Sequence, residues 1–142
     1  MQPELLFDVE IKVVPNMPAV VPSDGRIGEL VGSGDGRVTG PRLTGKLRFS
    51  LFEKVGETAC HMDTGAVLQT DDGAQIRIDG TGFALRRGHD RDLWITAQAL
   101  RFRTDDPRYA WLNHVAGLWA GTADLEAGSA RARVFAHVGR PE

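Results

Sequence analysis

Leu43-Thr44-Gly45-Lys46-Leu47-Arg48-Phe49-Ser50-Leu51 alternates without a break: Leu43, Gly45, Leu47, Phe49 and Leu51 fall on one side, Thr44, Lys46, Arg48 and Ser50 on the other. A period of two belongs to a half-buried strand, whose successive side chains leave opposite faces. The run extends from Arg42 to Lys54, long for a strand. Upstream, Leu6-Phe7-Asp8-Val9-Glu10-Ile11-Lys12-Val13 repeats the pattern before Pro15, Pro18 and Pro22 break it into a loop. Ile27 to Val31 reads as a further strand, and Gly32-Ser33-Gly34-Asp35-Gly36 as a turn. Downstream come Glu57 to Thr70, Ala74 to Arg86, Leu93 to Thr104, Tyr109 to Gly121 and Ala130 to Val138. Thr70-Asp71-Asp72-Gly73 is a hairpin signal, because Asp-Gly supplies the positive φ that tight turns require.

About eight long strands, short connections and no amphipathic helix predict an all-β chain. Closing such strands on themselves removes the exposed edges of an open sheet, so the expected architecture is a single antiparallel β-barrel spanning residues 1–142. Gly45, Gly65, Gly80 and Gly82 lie inside strands, as glycines at barrel bends do.

Composition narrows the functional classes. With 142 residues, 42% hydrophobic and 25% charged, the chain has the makings of one cored domain. A net charge of -2 offers no basic footprint for nucleic acid. Cys60 is the single cysteine, which excludes an internal disulfide and a cysteine-rich zinc site. His61, His89, His114 and His137 form no close pair at ligand spacing, so neither a metal nor another cofactor is expected. Asp8, Glu10 and Lys12 interrupt the first apolar run, and no window reaches the ~20 apolar residues of a membrane helix. The expected location is the cytoplasm, with no membrane partner.

Gly40-Pro41-Arg42-Leu43-Thr44-Gly45-Lys46-Leu47 approaches a phosphate-binding loop, but Leu47 stands where a magnesium-binding hydroxyl is needed, and a strand follows in place of a helix. His61 and Asp63, two apart on a strand, share a face. If that face is the interior, Asp63 can orient His61 as a general base; otherwise they are a solvated polar pair. Tyr109, Trp111 and Asn113 share another face, either as plain core or as a pocket wall, with Tyr109 and Asn113 donating hydrogen bonds to a developing oxyanion. Trp94 and Trp119 are candidate walls of the same cavity. Arg48 and Arg77, with Arg101 and Arg103, either grip a ligand carboxylate or decorate the outside.

Gly36-Arg37-Val38-Thr39-Gly40-Pro41-Arg42-Leu43-Thr44-Gly45, Thr70-Asp71-Asp72-Gly73-Ala74-Gln75-Ile76 and Asp106-Pro107-Arg108-Tyr109-Ala110-Trp111-Leu112-Asn113, in this order, resemble the bacterial domain-of-unknown-function 3237 family. The resemblance implies a barrel like those of allene oxide cyclase and dirigent proteins, commonly a homo-oligomer, with a dimer favoured here. Related barrels include cofactor-free cyclases and stereochemical guides for hydrophobic small molecules. Asp63-Thr64-Gly65 departs from an Asp-x-Arg of many members, which alters any anion site built on that arginine. Three readings follow: a cofactor-free isomerase, cyclase or lyase acting by acid/base catalysis in the barrel; a non-catalytic binding or guide protein; and a structural, oligomeric domain.

Overall fold

The computed structural model describes residues 3–15, 28–56, 58–87 and 93–138. Among them eight strands follow one another: β1 Glu4–Pro15, β2 Gly28–Thr39, β3 Thr44–Val55, β4 Ala59–Thr70, β5 Gln75–Arg86, β6 Leu93–Arg103, β7 Ala116–Asp124 and β8 Ser129–Ala136. Each pairs antiparallel with the next, and β8 returns to β1, so the sheet closes into a barrel. Neighbours in sequence are neighbours in space, as short hairpin connections dictate. The prolines at 18 and 22, Ile27 and His89 lie outside the described residues.

The alternation in β3 sorts as its sequence demands: Leu47, Phe49 and Glu53 are buried, while Lys46, Arg48, Ser50, Phe52 and Lys54 are exposed. β6 does the same, with Trp94, Thr96, Gln98, Leu100 and Phe102 inward. Closure requires a slip of register between Leu5 and Phe7, where β1 meets β8. Such a bulge bends the strand and buries consecutive residues, here Leu6 and Phe7. The Asp71–Asp72–Gly73 turn forms as expected, with Gly73 at φ 95°.

Two expectations are corrected. Gly32–Gly36 is no turn but the middle of β2, paired continuously with β3 from Gly28↔Val55 to Thr39↔Thr44. The glycines stand opposite Leu51, Phe49 and Leu47, and Gly34 leaves room for the Phe49 ring. A Cβ on Gly34 would stand 2.7 Å from the Phe49 ring. Local composition suggested a turn; pairing with β3 along the whole length made it a strand.

The second correction concerns Tyr109 to Gly121. Pro107–His114 is a 3-10 helix, and β7 begins only at Ala116. Asp106 caps the helix, its Oδ1 accepting from the Arg108 N–H at 2.9 Å, and Pro107 starts the turn with no N–H to satisfy. A 3-10 helix repeats every three residues. Tyr109 and Leu112 are its buried residues, and Val115, three further, is buried where the chain leaves the helix. The alternating face of Tyr109, Trp111 and Asn113 therefore does not exist.

This helix plugs one end of the barrel. Leu112 is fully buried in the cluster that contains Phe7, Val38, Leu68, Ile76, Phe102 and Val134, with Phe7 and Phe102 edge-on at 6.3 Å. Polar bonds bind the plug to the hairpins around it. Tyr109 Oη donates to Asp72 Oδ2 at 2.6 Å, and Arg108 reaches Asp106 at 2.8 Å and the Asp72 carbonyl at 3.1 Å. Asp71 accepts from Arg37 at 2.8 Å and from Thr44 at 2.9 Å. The three sequence blocks that carry the family resemblance thus meet at this end.

Candidate functional site

Between the plugged layer and the opposite end, the barrel encloses a cavity of about 150 Å³. Its floor is made by Phe7, Leu47, Ile78 and Leu100, and its far end by Val13, Leu125 and Gly128 near the β7–β8 turn. The wall is almost wholly apolar. Against it stand a few polar side chains: Glu53 from β3, Thr64 from β4, and Thr96 and Gln98 from β6.

Two hydrogen bonds organise this set. Thr64 Oγ1 donates to Gln98 Oε1 at 2.9 Å, which orients the Gln98 amide. Trp119 Nε1 donates to Thr96 Oγ1 at 2.9 Å. Gly80 makes the first possible, since a Cβ there would lie 2.9 Å from Gln98 Oε1. Trp94 packs with Cys60, Met62 and Ala84, and its buried Nε1 has no acceptor within the described residues. An unmet buried donor is costly and rare, and it invites a ligand acceptor.

Glu53 is the only Asp, Glu, His, Lys or Arg on the cavity wall among the described residues, and it is 8% exposed. Desolvation by burial pushes its carboxyl above the ordinary value of 4.5, because the apolar surroundings disfavour the charge.

The sequence candidates separate in space. Trp94 and Trp119 line the cavity. His61 and Asp63 do share a face, but it is the outer one; both are exposed, and the His61 ring packs 4.6 Å from Phe83. Tyr109 is buried in the plug, with its hydroxyl committed to Asp72. Asn113 is exposed and brackets Thr104, accepting from its N–H at 2.8 Å and donating to its carbonyl at 3.0 Å. Trp111 is half-buried beneath Arg42, whose guanidinium carbon sits 3.7 Å from the ring centroid. Arg48 and Arg77 border a shallow groove on the outer wall, with Ser50 and Gly65 between them. His61, Asp63, Tyr109, Asn113, Trp111, Arg48 and Arg77 are therefore absent from the cavity wall. For His61, Asp63, Arg48 and Arg77 the reason is parity, since an alternating strand states which residues go together and closure decides which set goes in; Tyr109, Trp111 and Asn113 lie on the 3-10 helix instead. Glu53, Thr64, Thr96 and Gln98 were not singled out, although each interrupts an apolar inward series at its own period of two.

Among the described residues no three His, Cys, Asp or Glu side chains gather as a metal site requires. No helix there is long and apolar enough to cross a membrane.

Fold and cavity define a closed eight-stranded antiparallel barrel with a largely apolar interior cavity and, among the described residues, one buried carboxyl. The chain belongs to the DUF3237 family, proteins of unknown function, whose pattern it matches over residues 2–136. Solved structures share the fold. A protein of unknown function from Clostridium acetobutylicum ATCC 824 superposes with a TM-score of 0.82 at 18% identity, over 96% of this chain and 99% of its own. A β-barrel-like protein from Acinetobacter baumannii AYE gives 0.81 at 18% identity, over 95% and 94%. An enzyme from Penicillium herquei gives 0.64 at 20% identity, over 95% and 96%. No curated protein matches the chain.

Proposed function

We propose that the barrel holds one small, largely apolar molecule, and that Glu53 exchanges a proton with it. A cavity of this size in an apolar protein interior takes a benzene-sized ring. A larger ligand would extend toward the Leu125–Gly128 end. Ligand pockets are typically apolar with a few placed polar groups, and the arrangement here has that form.

The observation that carries the reading is the solitary Glu53 carboxyl in an apolar wall. General acid/base catalysis is most effective when the group titrates near the working pH, and burial moves a carboxyl in that direction. The chemistry is cofactor-free and balances within the ligand. The Glu53 carboxylate takes a proton from a carbon next to a carbonyl, the electron pair moves onto the carbonyl oxygen, and the Glu53 carboxylic acid returns the proton to another atom of the same molecule. The net change is an isomerisation, or a cyclisation or elimination where a bond forms or breaks in the same step. The Gln98 amide N–H groups and the unpaired Trp94 N–H are the donors suited to the oxyanion. That a fungal protein of this fold is described as an enzyme supports catalysis as within reach of the barrel.

Binding without chemistry is the second reading. It is favoured by the absence of another titratable Asp, Glu, His, Lys or Arg on the cavity wall among the described residues. Deuterium exchange separates the two without knowledge of the natural ligand. Small cyclic ketones are incubated with the protein in D₂O, and their α-deuteration is followed by NMR. Catalysed exchange that falls roughly 10²–10⁴-fold in Glu53→Gln, with ketone quenching of Trp94 and Trp119 fluorescence retained, supports proton transfer. Quenching without exchange supports the container, and absence of both defeats the cavity reading.

A further inference from the structure

Strand β6 presents three polar side chains at successive inward positions of the cavity, Trp94, Thr96 and Gln98, and each has a donor to spare. Trp94 Nε1 is buried without an acceptor among the described residues. Thr96 Oγ1 accepts from Trp119 at 2.9 Å, which leaves its own proton unspent. Gln98 commits its Oε1 to Thr64 at 2.9 Å and keeps its amide N–H groups. An indole nitrogen can only donate, so Trp94 and Trp119 fix the sense of this strip. Strand β1 answers with hydrocarbon alone: Phe7, Val9, Ile11 and Val13.

Glu53 lies across from the strip. Pairing carries it through Met62 and Gly82 to Gln98, one row over β3, β4, β5 and β6. Three strands apart in a ring of eight, β3 and β6 face each other over the cavity. No Lys, Arg or His among the described residues stands on the wall to meet an anion, and an ionised Glu53 would repel one.

We infer, resting on the cavity reading above, that the ligand is a neutral, otherwise apolar 1,3-dicarbonyl compound, a β-diketone or β-keto ester, whose two oxygens face β6. Hydrogen bonding is one reason. Donors at three successive inward positions, roughly 7 Å apart along a strand, suit more than one acceptor oxygen. A buried donor left unmet is destabilising, and a carbonyl oxygen relieves it. Acidity is the other reason. A carboxylate is a weak base, and a carbon beside a single carbonyl is a very weak acid. A carbon between two carbonyls is far more acidic, because the electron pair left behind spreads over both oxygens. Proton transfer to Glu53 is then much better matched. Glu53 takes that proton, and its acid returns it to one of the two oxygens, which converts the dicarbonyl into its enol with every atom conserved. The Trp94 and Gln98 donors stabilise the charge while it is shared.

A matched series on one skeleton tests the class: 2-acetylcyclohexanone with two carbonyls, acetylcyclohexane with one, ethylcyclohexane with none, and cyclohexanecarboxylate with a charge. Each is titrated at neutral pH into the full chain labelled with heavy nitrogen, and the indole N–H signals of Trp94, Trp111 and Trp119 are followed by NMR. Trp94→Phe identifies the Trp94 signal. The dicarbonyl should bind roughly 2- to 10-fold more tightly than the monoketone, the worth of one net hydrogen bond. It should also move the Trp94 signal downfield, as a new acceptor does. Trp94→Phe should weaken both ketones by a similar factor and leave ethylcyclohexane unchanged, and the carboxylate should bind most weakly. Should Trp94→Phe fail to fold, the wild-type affinity order decides alone. A monoketone that binds as tightly as the dicarbonyl, an unmoved Trp94 signal, or a carboxylate that binds tightest would overturn the inference. With ethylcyclohexane still bound, those results would spare the cavity reading. Binding by none of the four would defeat both.

Discussion

Tyr109 Oη and Asp72 Oδ2 are 2.6 Å apart, and through that contact the 3-10 helix is bonded to the β4–β5 hairpin. Asp72 also accepts from Thr70 at 2.5 Å and lies beside Arg108. The hydrogen bonds from Thr70 and Tyr109 hold the Asp72 carboxyl below its usual range, and the same bond raises the Tyr109 phenol. Asp71, held down chiefly by Thr44 and Arg37, and Asp106, held down by Arg108, behave alike. The plug is thus locked by ionised carboxylates.

Acid should loosen the plug. A carboxyl depressed in the fold contributes stability above its unfolded pKa and loses it as pH falls through the folded one. For Asp71, Asp72 and Asp106 that loss begins near the ordinary value of 3.8 and continues below it. Melting followed from pH 7 to pH 3 should fall more steeply for the wild type than for Asp72→Asn. At pH 7 both Asp72→Asn and Tyr109→Phe should melt a few degrees lower. Equal pH slopes in wild type and Asp72→Asn would contradict the lock.

Glu53 should have the opposite sign. Its carboxyl is raised by burial, so its protonated form suits the fold, and its favourable contribution is lost as pH rises through the folded value, beginning near 4.5. Replacing it with Leu removes the buried charge and fills space, which should stabilise the barrel at neutral pH by about 1 kcal/mol. Denaturant midpoints for the two proteins should converge as pH drops below 4.5. A Glu53→Leu protein less stable at pH 8 would show that the carboxylate has partners in solution.

Leu112 is the side chain that fills the plugged end, with no exposed surface. Leu112→Ala should cost about 2–5 kcal/mol, the range for emptying a well-packed core position. Trp111→Ala, which removes a half-buried ring under Arg42, should cost less. Urea unfolding gives both numbers, and the reverse order would mean that the ring, not the leucine, closes the barrel.

His61→Ala and Asp63→Ala test the outer assignment. Neither touches the cavity, so ketone quenching and any catalysed deuterium exchange should match the wild type, and stability should stay within about 0.5 kcal/mol. A large loss of exchange in either variant would move the site to the outer wall.

Much of the architecture was legible along the chain. The strict alternation of Leu43 to Leu51 and of Leu6 to Val13, and the Asp-Gly turn at Gly73, are local statements about backbone and burial, and they predict strands that the barrel realises. Where a segment's conformation answered to something distant, local reading failed. Gly32, Gly34 and Gly36 lie in a strand paired along its length with β3, where Gly34 leaves space for the Phe49 ring and Gly36 lets Glu10 and Ile11 of β1 approach. Pro107–His114 is helical because the barrel end must be filled by Tyr109 and Leu112.

The candidate site divides in the same way. The sequence by itself determined that Trp94 lies on a strand running from Leu93, that His61 and Asp63 travel together, and that an all-β barrel was the expected fold. Which of the two alternating sets faced inward was decided only when β8 closed on β1. Period two specifies relative facing and leaves the absolute side open, since that side is chosen by the summed burial of all the strands. Closure turned His61 and Asp63 toward water and carried Glu53, an unremarked residue at the end of an apolar series, into the interior, where loss of solvent gives a carboxyl its altered acidity.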